Sequence, residues 1–139
     1  MLGLPRMAVF RISIRPQVIL TAAFVVLAFS GCADRQSIAA QATVETFYGA
    51  IQNDNLPLVE DNLAKAATPQ FRERVEAAAQ AAQSGGDAQR SVQLVRVDEP
   101  SMTAGGARIQ VRFADGQTDI VSLVREGLRW KVLTSGRLG

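Results

Sequence analysis

The 139-residue chain contains no histidine. That absence removes the commonest general base, the commonest metal ligand and the usual physiological pH switch together. It also excludes a Ser-His-Asp hydrolase, since Ser122 has no imidazole to activate it. Cysteine occurs once, at Cys32, so no disulfide framework can form within the chain. Tryptophan and tyrosine also occur once each, as Trp130 and Tyr48. The apolar run from Val18 to Phe29 falls well short of the roughly 20 residues needed to cross a bilayer core. Asp and Glu are scattered without metal-ligand spacing, so no metal and no cofactor is expected. There is no internal repeat, no heptad pattern and no low-complexity tract.

What is present begins with a secretory layout. Arg6, Arg11 and Arg15 lead into the run Val18 to Phe29, and then come Ser30, Gly31 and Cys32. Basic residues, an apolar stretch, two small residues and a cysteine resemble a bacterial lipoprotein signal, with Phe29 where that family usually carries leucine. The resemblance implies cleavage before Cys32 and acylation of its thiol and new amino group. Three acyl chains, at about 0.8 kcal/mol per buried methylene, exceed by far the single chain that binds only marginally. The expected organisation is a signal peptide over 1–31, a lipidated cysteine and short tether over 32–37, and one domain over 38–139. The implied location is the periplasmic side of a bacterial cell envelope, attached to the membrane through Cys32. By the same resemblance, Ala33 after the cysteine suggests the outer membrane, while Asp34 is read as a retention signal in some bacteria. An uncleaved anchor and an ordinary buried cysteine are the competing readings of this stretch.

Charge changes meaning once the signal is set aside. The whole chain carries 15 Lys and Arg against 13 Asp and Glu. Three of the cations lie in the signal, which leaves 12 against 13 and a side-chain charge of −1. Nothing in that balance suggests nucleic-acid binding.

Beyond the tether the pattern is helical. Val44, Phe47, Tyr48 and Ile51 share one face, and Asn53-Asp54-Asn55 ends the run. Asn55-Leu56-Pro57 and Thr68-Pro69 each place a capping residue before a proline in the first helical turn. They predict a short helix through Leu58, Val59 and Leu63, then a third helix with the stripe Phe71, Val75, Ala78, Ala79 and Ala82. Ser84-Gly85-Gly86-Asp87 closes it. Four β-branched runs follow, over 91–97, 107–113, 118–125 and 128–133, divided by turn residues. Helices followed by a meander of about four antiparallel strands is an α+β layout.

Register can be tested against the apolar pattern, because a slip of one residue reverses every side chain. Two-residue loops at both Asp115-Gly116 and Glu126-Gly127 would turn the apolar faces of neighbouring strands opposite ways. A three-residue loop, Asp115-Gly116-Gln117, with Gly116 left-handed in a bulge removes the conflict. It sets Ile109, Val111, Phe113, Val121, Leu123, Trp130 and Val132 on one face and Asp119 at the rim beside Phe113.

Val44-Glu45-Thr46-Phe47-Tyr48, Asp115-Gly116 and Gly127-Leu128-Arg129-Trp130-Lys131-Val132 together resemble the short lipoproteins of the nuclear transport factor 2-like superfamily. The resemblance implies helices packed in the concave face of a curved antiparallel sheet, with an apolar cavity at the wide end. Phe47, Tyr48, Ile51, Phe71, Ile109, Val111, Phe113, Leu123 and Trp130 would line it. The superfamily includes isomerases and cyclases alongside non-catalytic binding modules, so fold alone does not decide activity.

Tyr48 as an oxyanion donor and Asp119 as a general base form the one catalytic pair on offer. Against it, Tyr48 belongs to the core stripe and Asp119 lies among arginines that would keep it ionised. Arg108, Arg112, Arg125, Arg129 and Lys131 read either as a basic patch for anionic headgroups or as the solvated face of a sheet. Three functions follow from different classes. The first is a non-catalytic envelope module for a small apolar ligand or an envelope protein. The second is an isomerase-like enzyme using Asp119 and Tyr48. The third is a structural assembly protein.

Overall fold

The computed structural model describes residues 35–139. The expected signal segment and Cys32 therefore lie outside the described residues. Internal contacts divide the chain into Met1–Gln36 and Ser37–Gly139, and the fold below is that of the second unit. No helix among the described residues is long and apolar enough to cross a membrane.

Helix α1 covers residues 35–52 and buries Ala40, Val44, Phe47, Tyr48 and Ile51, a stripe at three- and four-residue steps. It stops where Asp54 takes a positive φ of 51°. Helix α2, Leu56–Asn62, starts at Asn55, whose side chain accepts from the Leu58 N–H. Helix α3, Pro69–Ala82, starts at Thr68, whose Oγ1 accepts from the Phe71 N–H at 3.2 Å. In both, proline occupies the first turn, where its missing N–H leaves nothing unpaired. Helix α4, Gly86–Arg90, is a single extra turn with no buried residue. Lacking an apolar stripe and opening on glycine, it gives no periodic signal in the sequence.

The sheet has five strands: β1 Leu94–Val97, β2 Ser101–Thr103, β3 Gly106–Phe113, β4 Thr118–Glu126 and β5 Arg129–Ser135. All pairings are antiparallel, in the order β1-β3-β4-β5, with β2 also on β3. The architecture is thus α+β with an open five-stranded sheet. The strand beyond the expected four is β2, three exposed residues directly after Pro100, too short and too polar to alternate visibly.

Both hairpin loops sit one residue away from their expected positions. Arg112 faces Thr118, and the Phe113 N–H donates to Gln117 O, so the three-residue loop is Ala114-Asp115-Gly116. Gly116 has a φ of 86°, which a bulged loop of this length requires. Asp119 consequently faces Val111 rather than Phe113. At the other hairpin Glu126 faces Arg129, leaving Gly127-Leu128 as the loop. Each shift moves the pairing by an even step, so the buried face is the expected one. Ala107, Ile109, Val111, Phe113, Val121, Leu123, Trp130 and Val132 are buried, while Arg108, Gln110 and Arg112 between them are exposed.

Helix α1 lies against this face, with Tyr48 edge-on to Phe113 at 5.1 Å, and it meets α3 through Phe47 and Phe71 at 6.5 Å. After α2, Leu63 bridges Val132 in parallel and the Ala64 N–H donates to Val132 O at 2.8 Å, which covers the outer edge of β5.

Candidate functional site

A bulge in β5 sets up the polar end of the core. Leu123 faces Val132 but Ser122 faces Thr134, so Leu133 is an extra residue. The extra residue turns Ser135 inward, opposite Val121, and leaves it 1% exposed. Its Oγ accepts from the Leu138 N–H at 3.1 Å, so its own proton is free to turn inward.

Tyr48 sits on the same buried side, 1% exposed, edge-on to Phe47 and Phe113. Among the described residues, no group meets its hydroxyl with hydrogen-bond geometry. Burial pushes its ionisation well above the ordinary phenol range; the Ser135 hydroxyl and Arg137 oppose that rise, and Asp119 adds to it. A phenol held so firmly neutral in an apolar pocket is a packing side chain with a polar tip.

Asp119 has a structural role. Its Oδ1 accepts from the Ile120 N–H at 2.8 Å and its Oδ2 from the Arg137 N–H at 3.1 Å. The carboxylate thereby holds the C-terminal turn against β4. Gly136 makes room for it, since a Cβ there would lie 2.7 Å from Oδ1. The next residue, Arg137, reaches Asp115 at 2.5 Å and Ser91 O at 3.1 Å and lies 5.0 Å over the Phe113 ring. Arg137 also holds the Asp115 carboxyl below its usual range, helped by the Gln117 N–H. The amino-acid pattern alone does not single out Ser135, Gly136 or Arg137. Only the bulge brings them beside Asp119, and β5 shows no break in its apolar alternation before Val132.

The nine side chains expected to line a cavity, Phe47, Tyr48, Ile51, Phe71, Ile109, Val111, Phe113, Leu123 and Trp130, are packed in one core cluster with exposures of 0 to 7%. An open groove of about 670 Å³ lies on the other face of the sheet. Arg108, Gln110, Thr118, Ile120, Ser122 and Thr134 line it, and Asp119 borders it while Tyr48 does not. A smaller groove of about 230 Å³ follows along Arg96, Gln110 and Arg112.

No protein-family model matches the chain, nor does any curated protein or solved structure.

The five cations considered as a basic patch divide by environment. Arg129 and Lys131 both engage Asp61, the former at 2.8 Å. Arg125 lies over Trp130 at 5.3 Å. Arg108 and Arg112 remain on the groove face, and among the described residues neither forms an ion pair. Also among the described residues, no three His, Cys, Asp or Glu side chains cluster closely enough to hold a metal ion.

Proposed function

We propose that the protein is a bacterial lipoprotein, anchored in the cell envelope through acylated Cys32, whose small domain binds a ligand or an envelope protein without transforming it. The outer membrane is the favoured destination, on the strength of Ala33. The signal layout ending at Ser30-Gly31-Cys32 supports the anchor. Helices against one face of an antiparallel sheet are consistent with a nuclear transport factor 2-like domain, and we assign it there as part of this reading.

One observation carries the choice of binding over reaction. Both Asp119 oxygens are occupied by backbone N–H groups, and the Tyr48 hydroxyl is enclosed within the core. A general base must reach a substrate proton, and an oxyanion donor must reach the developing charge. These two groups serve the fold. The groove of Arg108, Gln110, Ile120 and Thr134 offers donors, acceptors and one aliphatic floor residue to a ligand instead.

Two measurements test the reading. Replacing Cys32 with Ser should leave a precursor that takes up no labelled palmitate and no longer partitions into detergent; label on that variant would overturn the anchor. The mature domain should show no turnover of ketosteroid, ester or lactone substrates. Turnover that disappears in Asp119→Asn while the fold survives would make the protein an isomerase-like enzyme.

A further inference from the structure

Helix α1 runs in the same direction as β3. Near its start, Gln41 donates to Asp98 O, and the Asp98 N–H donates to Gln110 O; further on, Tyr48 meets Phe113 at the strand's end. The first turn of the domain therefore points toward the beginning of β3. Two sheet turns project from that end. Gly106 faces Val124 and the Arg125 N–H donates to Gly105 O, so the Ala104-Gly105 turn lies beside the base of the Gly127-Leu128 hairpin. Lys65 joins them, its N–H donating to Glu126 Oε2 at 2.7 Å.

Two properties distinguish this end. Among the described residues, five large apolar side chains are exposed, and three of them, Ile38, Met102 and Leu128, are on α1's first turns or these sheet elements. Leu128 is the extreme, 92% exposed at the tip of a two-residue loop where nothing in the fold needs it. The end is also cationic: Lys65, Arg125, Arg129 and Lys131 surround the hairpin against Asp61 and Glu126. The opposite end, around the Ala114-Asp115-Gly116 loop, is mixed: Asp54, Asp87, Asp115 and Asp119 stand there with Arg90, Arg112 and Arg137, and the Arg96–Asp98 pair lies beside Arg112.

We infer that the Gly127-Leu128 hairpin end rests on an anionic lipid surface, with Leu128 in the headgroup layer and the surrounding cations over the phosphates. The inference rests on the lipoprotein reading of Cys32. Cys32 precedes Ser37 by five residues, so covalent reach keeps the bilayer within about 18 Å of the domain's start. An apolar apex with a basic collar is the composition of interfacial anchors. The short tether, the exposed Leu128 and the cations around it together favour this end over the far one, where acids and arginines are mixed.

The test uses the acylated protein in vesicles of mixed zwitterionic and anionic lipid. With Cys32 consumed by lipid, Leu128→Cys, Ala104→Cys and Gln117→Cys each carry a single thiol for an environment-sensitive fluorophore. Positions 128 and 104 should shift to shorter wavelength and be quenched by headgroup-labelled lipid, while 117 at the far end should do neither. Raising salt or removing the anionic lipid should weaken the response at 104. Vesicle-bound protein with all three probes alike, or with 117 the quenched one, overturns this orientation and leaves the lipoprotein reading standing. A shift at 128 that appears equally without lipid assigns the hairpin to a protein contact and also overturns it. Failure to acquire acyl chains overturns both readings.

Discussion

Tyr48 brings a hydroxyl into the core where no partner among the described residues meets it in hydrogen-bond geometry, while Ser135 beside it has a proton to give. A buried hydroxyl without a partner costs about 1 to 3 kcal/mol in lost hydration, and removing it removes that cost. Tyr48→Phe should therefore hold stability or raise it by about 1 kcal/mol in chemical denaturation. A loss of more than about 1 kcal/mol would mean that Ser135 rotates to pair with the phenol in solution. The core position of Tyr48 was legible in the sequence because its neighbours Val44, Phe47 and Ile51 repeat at helical spacing. Its closeness to the Ser135 hydroxyl was not, because Ser135 turns inward only through one extra residue in β5. Nothing about Leu133 announces a bulge. It is an aliphatic residue in a strand, and only the pairing of Ser122 with Thr134 reveals it.

At the scale of elements, local chemistry that needs a specific residue was readable, and chemistry that needs none was not. Asn55 and Thr68 cap because their side chains are the right length to reach an N–H, and both prolines follow at the position that tolerates them. Strand β2 and helix α4 carry no such marks; their neighbours hold them. Gly116 and Gly49 separate the two kinds of demand with one substitution. Gly116 has a φ of 86° and open space where a Cβ would point, so Gly116→Ala should cost about 1 to 2 kcal/mol through backbone strain alone. Gly49 lies inside α1 with nothing within 4 Å of a Cβ, so Gly49→Ala should gain about 0.5 to 1 kcal/mol. Thermal unfolding of the two variants should move in opposite directions. Equal shifts would show that the β3–β4 loop does not need its left-handed residue.

Across the whole molecule, two acid–base clamps fasten opposite ends of β4. At the hairpin end Asp61 on α2 engages Arg129 and Lys131, and at the other end Asp115 engages Arg137 of the C-terminal turn. Hydrogen bonds from the arginines are the leading cause that holds both carboxyls below their ordinary range, Arg129 for Asp61 and Arg137 for Asp115. With the folded value depressed, the unfolded chain binds more protons in acid. Each clamp's contribution is therefore present above the unfolded carboxylate value, near 3.9, and is lost as pH falls through the lower folded value. Both carboxylates are solvent-accessible, so each effect is small and screened by salt. Nine residues of β4 separate the ends by roughly 30 Å, far beyond the range at which substitutions couple. Asp61→Asn and Asp115→Asn should each flatten the acid limb of the stability–pH curve, and the double variant should flatten it by the sum. Urea titrations from neutral pH downward check this at low ionic strength. A double variant no flatter than either single would mean that the two ends unfold as one electrostatic unit.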